Sequence, residues 1–289
     1  MKISSPTRLP SQRYTSQTGE RWLIEISTDG VELDLAGAVL DGEDFRGYGV
    51  YVHDCEGVVI RNGLIKGFHY GIRAERVKNL TVSGCVVTEN YNAPGIGWLA
   101  DTARPETEGF GGGLYIRDGV GCVVENNELG ANFDGLDLVH CTDSTVRANS
   151  ASGCGNVGIH LLDSNRNTIE GNRANRCIRY AGRFWNDTAD SSGILLEEYS
   201  HENGIVGNTM RYSGDGLFSA PTTGTPPTAT TSPKTTAAYR PTTPSRLYSQ
   251  RAISSKTILL TIQTTASGSA TPATRSYGTT VCVRTGWTE

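Results

Sequence analysis

Residues 135–172, GLDLVHCTDSTVRANSASGCGNVGIHLLDSNRNTIEGN, state one pattern twice. Gly135-Leu136-Asp137-Leu138 matches Gly158-Ile159-His160-Leu161, and the stretch from Thr145 to Asn149 matches that from Thr168 to Asn172. A glycine opening a short alternating strand recurs at Gly49, Gly71, Gly113, Gly135, Gly158, Gly193 and Gly216. The steps from 49 to 71 and from 113 to 135 are 22 residues; those from 135 to 158 and from 193 to 216 are 23. A unit this short cannot bury an apolar face alone, whereas stacked copies can, and they build a solenoid. The apolar positions alternate, which excludes helical repeats. The LxxLxL frame of leucine-rich repeats is absent.

Alternation assigns the sides. One position after each glycine stand Val50, Ile72, Leu114, Leu136, Ile159, Ile194 and Leu217, and three positions after come Val52, Ala74, Ile116, Leu138, Leu161 and Leu196. These are expected to point inward and stack between coils. A second short strand follows in each unit, then Asn127, Asn149, Asn172 and Asn208 at one repeated turn. Stacked asparagines can bridge successive coils through their amides and tolerate left-handed backbone. Cys154 and Cys177 share a column, which fits a thiol stack better than a catalytic pair.

Composition limits the classes. Lys and Arg total 26 against 30 Asp and Glu, a net charge of −4, so no basic footprint for nucleic acid exists. No apolar run approaches the roughly 20 residues of a membrane span. The opening MKISSPTRLPSQRYTS has no apolar leader segment, so the chain as written reads as cytosolic. Seven cysteines without a CxxC or a Cys/His zinc spacing read as free buried thiols.

With these columns in place, the chain resembles the pectate-lyase-like superfamily of right-handed parallel β-helices. It is most similar to the NosD-like repeat proteins. The segments LDLAGAVLDG, GVGCVVENN and CIRYAGRFWNDTADSSGILLEEYSHENGIVGNTMRYSGDGLF carry the likeness. The resemblance implies an all-β, right-handed single-stranded parallel β-helix of about seven coils over 21–218, after a lead-in at 1–20. It also implies an extracytoplasmic location and polysaccharide as the ligand class. If the protein is an enzyme, it implies a lyase, a glycoside hydrolase or an epimerase. The superfamily also contains non-catalytic proteins, so a structural or protein-interaction solenoid is the alternative.

Two steps are too long: 42 residues from Gly71 to Gly113 and 35 from Gly158 to Gly193. Loops are expected near 93–112 and 179–192. They emerge at the same edge and carry Trp98 and Phe110 in one, Phe184 and Trp185 in the other. Such loops often bound a binding face, and their aromatics equally well pack the loop onto the coil. The outward positions between them include Tyr51, Arg73, Tyr115, Asp137 and His160 two residues after the glycines, and Arg117 four after. Asp137, His160, Tyr115 and Asp134 are the candidate catalytic groups; Arg73, Arg117, Trp98, Phe184 and Trp185 are the candidate sugar contacts. Together they could bind a glycan or move a proton at a sugar ring. Solvent-facing strand positions are ordinarily polar, so the same list suits a face with no ligand.

Family motifs are only partly met. Asn132-Phe133-Asp134 and Arg76-Val77-Lys78 match two polygalacturonase-type elements, the second out of order, while a paired Asp-Asp and Gly-His-Gly are missing. No cofactor is expected. Calcium needs more converging carboxylates than Asp134 and Asp137. Copper needs a His/Met cluster, and His53, His140 and His160 are dispersed.

From 219 to 289 the language changes. Thr, Pro, Ala and Ser dominate, and Asn and Asp vanish after Ser219. A disordered low-complexity stalk is one reading. A shifted reading frame is the other: read one base earlier, ACN threonine codons become Asn, Asp, His or Tyr codons, the vocabulary of the preceding coils. Either way the β-helix is expected to end near Phe218 with an unpaired edge, a site for edge-to-edge self-association of an otherwise monomeric protein.

Overall fold

The structure is a computed structural model. It describes residues 1–16, 21–91, 111–178 and 191–219, together with the backbone of Ala220 and of the strands Ala229–Thr231, Thr236–Tyr239 and Ile258–Leu259. The chain winds as a right-handed parallel β-helix with three walls. The wall built of the longest strands has nine parallel rungs. Seven are the strands opened by the corner glycines. Two more, Lys2–Ile3 and Trp22–Ile26, precede them without a glycine signal. Leu23 stands where the later rungs have glycine. Residues 1–16 are thus more than a lead-in: Lys2–Ile3, Thr7–Arg8 and Arg13–Thr15 pair into all three walls.

Both long steps are insertions between rungs, with no added rung. Tyr70–Lys78 pairs directly with Gly112–Arg117, and Val157–Leu162 with Ser192–Glu197. The chain leaves after Tyr91 and Ile178 and returns at Gly111 and Ser191, at one edge of the long wall.

The core is the stack of inward columns. Val50, Ile72, Leu114, Leu136, Ile159 and Ile194 are fully buried, and each contributes about 2 kcal/mol through removal from water. The corner glycines are dictated by close approach. A Cβ on Gly158 would stand 2.6 Å from the Gly193 carbonyl oxygen and 2.7 Å from Ala174 Cβ; one on Gly113 would stand 2.5 Å from the Gly135 oxygen. Because the glycine and the residue after it both face the interior, the residue before the glycine is turned outward.

The asparagine ladder forms as expected. Asn149 Oδ1 accepts from the Asn127 backbone N–H at 3.0 Å and from Asn127 Nδ2 at 3.0 Å. Its own Nδ2 donates to the Val124 oxygen at 2.8 Å and to Asn172 Oδ1 at 3.0 Å. Asn208 caps the series above Asn172. One detail differs. The left-handed residue is the one before each asparagine: Asn126 (φ 56°), Ala148 (φ 54°), Gly171 (φ 64°) and Gly207 (φ 65°). The turn there aims the following amide inward, where it meets its neighbours.

After Phe218 the backbone continues further than expected. Ala229–Thr231 pairs in parallel with Asn203–Val206, and Thr236–Tyr239 with Thr209–Ser213, while Ile258–Leu259 adds antiparallel to Ala229–Thr231. Pairing along an open edge uses backbone groups alone, so a chain without the core pattern can still add there.

Candidate functional site

The parity break at the corner glycine brings two outward columns together. Two residues after the glycine position, Glu25, Tyr51, Arg73, Tyr115, Asp137, His160, Leu195 and Phe218 are direct cross-strand partners, rung on rung. One residue before it, Trp22, Tyr48, Tyr70, Gly112 and Asp134 form the second column. Rungs lie about 4.8 Å apart, so long side chains from the two columns interlock.

They do so in two zones. In the first, the Arg73 guanidinium lies 4.4 Å from the Tyr115 ring centre, 5.0 Å from Tyr48 and 5.9 Å from Tyr70. Arg73 Nε donates to Glu75 Oε1 at 2.7 Å, and the Tyr51 hydroxyl donates to Glu75 Oε2 at 3.1 Å. Burial raises the Glu75 carboxyl, but the Arg73 bond and charge outweigh it and hold it below its ordinary value. Trp22 and Tyr51 stack at 4.9 Å and stay partly open to solvent.

The second zone is a chain of acids around a histidine. The Tyr70 hydroxyl donates to Asp137 Oδ2 at 2.8 Å. Asp137 Oδ1 is 3.2 Å from His160 Nδ1, and His160 Nε2 is 3.0 Å from Glu197 Oε2. Burial pushes the His160 imidazolium toward losing its proton, but the two carboxylates prevail and raise it to about 10. Glu197 is opposed by burial and held below its ordinary value by His160. Asp134 Oδ1 accepts from Asn156 Nδ2 at 2.8 Å and from the Val157 backbone N–H at 2.9 Å. Asp134 Oδ2 is buried with no hydrogen-bond partner. Burial first, and the Asp137 charge second, push the Asp134 carboxyl well above the carboxylate range. The zone therefore holds a neutral acid beside a charged imidazolium. Burial and the Asp137 charge thus favour the protonated form of Asp134, and the two flanking carboxylates favour the protonated form of His160.

The expected neighbours are thus brought together: Asp134, Asp137 and His160 in one zone, Arg73 and Tyr115 in the other. The expectation that they face solvent is corrected. Arg73, Tyr115, Asp134, Asp137 and His160 are between 1% and 6% exposed. The reason is mutual coverage, because Tyr48, Tyr70, Tyr115 and Val139 form a second apolar cluster outside the coil, with Trp22, Tyr51 and Leu162 packed on it. Arg117 stands one column along, in register with Glu75 and 3.5 Å from Asp118. Trp98, Phe110, Phe184 and Trp185 lie outside the described residues. Sequence reasoning missed Tyr48, Tyr70 and Glu197; tyrosine before the corner glycine on two successive rungs was the available signal.

The polygalacturonase-type match dissolves into structure. Asn132 is a buried ladder residue whose Oδ1 accepts from the Asn90 backbone at 2.9 Å and whose Nδ2 donates to the Val87 oxygen at 2.8 Å. Arg76 pairs with Asp54 on the surface at 2.6 Å. Among the described residues no cluster of three or more His, Cys, Asp or Glu is arranged to hold a metal ion. The six described cysteines are all free and buried. No described helix is long and apolar enough to cross a membrane.

The family described as right handed beta helix region matches residues 107–228. No curated protein matches significantly. Among solved structures, the Streptococcus pneumoniae surface protein and adhesin PfbA superposes with a TM-score of 0.57 at 9% identity, over 73% of this chain and 65% of that one. The periplasmic alginate epimerase AlgG gives a TM-score of 0.49 at 16% identity, over 75% and 50%. Pectate lyase Pel9A gives 0.47 at 16%, over 73% and 52%. The chain thus spans less than two thirds of the adhesin and about half of each enzyme. Structural neighbours include carbohydrate-active enzymes and an adhesin, and identities this low establish a shared fold alone.

Proposed function

We propose that the protein binds a polysaccharide along the outward strip of its long wall, with the Asp134–Asp137–His160 zone as the polar centre. The observation that carries this is Asp134 Oδ2, a buried polar atom without a partner set beside a carboxylate and an imidazolium. Native interiors satisfy such atoms, so an orphan marks a place where a water or another bound molecule completes the bonding. Because that atom is buried, a sugar hydroxyl reaches it through a bridging water or after the covering side chains move, while Trp22 and Tyr51 offer partly open ring faces further along. An extracytoplasmic setting and kinship with NosD-like repeat proteins accord with the repeat segments and remain part of this proposal.

The test is binding to a panel of neutral and acidic polysaccharides by affinity electrophoresis. Wild type is expected to be retarded by at least one member. Asp137→Ala and His160→Ala should weaken that binding about tenfold or more, because each breaks the bonded chain that sets the polar centre. Wild-type mobility unchanged by every polysaccharide overturns the reading. A second reading, a non-catalytic interaction solenoid, is favoured by how fully Tyr70, Asp137, His160 and Glu197 satisfy one another. It predicts concentration-dependent self-association in light scattering that survives both substitutions.

A further inference from the structure

Two residues outside the proposed contact with sugar, Tyr70 and Glu197, hold the two ends of the acidic zone. Asp137 has both oxygens occupied, Oδ2 by the Tyr70 hydroxyl and Oδ1 by His160. His160 has both nitrogens occupied, by Asp137 and by Glu197. The four residues come from four different rungs, the Tyr70–Lys78, Asp134–Val139, Val157–Leu162 and Ser192–Glu197 strands. The line runs from the Glu197 side chain, 37% exposed at the margin, to a Tyr70 ring with no exposure at all.

We infer that Glu197 and Tyr70 are positioning residues, a two-ended clamp that fixes the His160 ring and the Asp137 carboxylate in single orientations beside the buried Asp134. A ring held at one nitrogen can turn about its own axis. One held at both cannot, and a carboxylate bonded at both oxygens is likewise fixed. Glu197 also reaches the zone from the rung that follows the 179–190 segment, so the clamp ties the two sides of that insertion together. The groups facing His160 are Asp134 and Asp137 from one strand and Glu197 from the other, with Tyr70 behind Asp137. The inference rests on reading the strip as a ligand site. The clamp itself can be read without any ligand.

The experiment is nitrogen and proton NMR of the His160 ring across pH in the full chain. In wild type, both ring N–H protons should be visible and slow to exchange, with the ring charged at neutral pH. Glu197→Gln removes the charge but keeps an oxygen that can accept, so it should hasten exchange of the Nε2 proton and lower the titration midpoint by about one pH unit or more, a tenfold change in protonation. Glu197→Asp should recover part of that shift and serves as the second variant if Glu197→Gln fails to fold by circular dichroism. Tyr70→Phe should leave the slow Nε2 proton in place, because the Glu197 bond is untouched. Glu170→Gln, on the neighbouring wall, controls for the loss of one negative charge. A His160 ring that titrates alike in wild type, Glu197→Gln and Glu170→Gln overturns the inference. Running the polysaccharide panel on the same samples separates the two claims: a shifted ring without binding sustains the clamp and removes the ligand reading.

Discussion

Replacing Asn149 by alanine isolates what holds one coil to the next. In the native chain its amide makes four buried hydrogen bonds: two accepted from Asn127, one donated to Val124 and one to Asn172. Truncation leaves the Asn127 backbone N–H buried without an acceptor, a loss of about 2 kcal/mol. The other three bonds contribute about 1 kcal/mol each, less whatever relaxation recovers. Together they predict a destabilisation of about 3–5 kcal/mol, a large part of the 5–15 kcal/mol typical of a domain. Because a solenoid unfolds unit by unit, a single global midpoint is a blunt measure, and amide hydrogen exchange resolved by residue is the right assay. The Asn127 amide should exchange about 100-fold faster or more, the equivalent of roughly 3 kcal/mol. The Phe68 amide, held by the separate Asn90 carboxamide at 3.1 Å, should be unchanged, and so should the pattern in Glu170→Ala. An Asn127 amide slowed or altered less than about fivefold, with a urea midpoint close to wild type, would refute the claim that these amides bind the coils together.

Asp134→Asn should stabilise the fold while damaging the site. The folded chain keeps a proton on Asp134 that the unfolded chain releases above the ordinary carboxyl value of 3.8, so this group's contribution to stability is greatest below that value and falls as pH rises. The variant should therefore melt higher at pH 7, by roughly 2–4 °C for each kcal/mol relieved, with the gain gone near pH 3; an unchanged melting temperature at pH 7 contradicts it. His160, raised to about 10, has the same sign over a higher window: its stabilisation is full below 6.5 and lost toward about 10, so His160→Gln should narrow the difference in stability between pH 6 and pH 10.5 in denaturation curves. Gly158→Ala and Gly153→Ala separate two uses of glycine. The first places a methyl 2.6 Å from the Gly193 oxygen and should disrupt the rung; the second meets nothing within 4 Å and carries only the strain of φ 73°, about 1 kcal/mol. Equal urea midpoints for the two would remove the close-approach explanation of the corner column.

The two inward columns and the ladder asparagines could be read from the chain because strand alternation has period two and the repeat is nearly constant, so counting from a glycine fixes both side and neighbour. That arithmetic set Asp137 beside His160 correctly. It failed wherever geometry departs from period two. Tyr48 and Tyr70, one residue before the glycine, have the parity of an inward position, and only the crowding behind the glycine turns them out. It failed also at Trp22–Ile26, where Leu23 replaces the marker, and at Glu197, four residues after Gly193, whose reach to His160 depends on side-chain length. Burial of the strip was illegible for a related reason: alternation distinguishes inside from outside, and a second cluster built on the outside looks polar from Arg73 and Asp137 while packing as if it were core.

The turned-out residue before each corner glycine has a consequence for how such a surface changes over generations. Every coil supplies the face with two addresses, fixed in translation and independent of what the interior columns contain. Duplicating or deleting a whole coil would lengthen or shorten the face by one row, leaving the remaining rows in the same mutual register. Substitution at an address changes one contact, whereas a change in coil number slides one end of the face relative to the other. Two such chains could share every interior residue of their common coils and still hold Arg73 and His160 at separations differing by one rung spacing, about 4.8 Å, which is enough to select partners of different length.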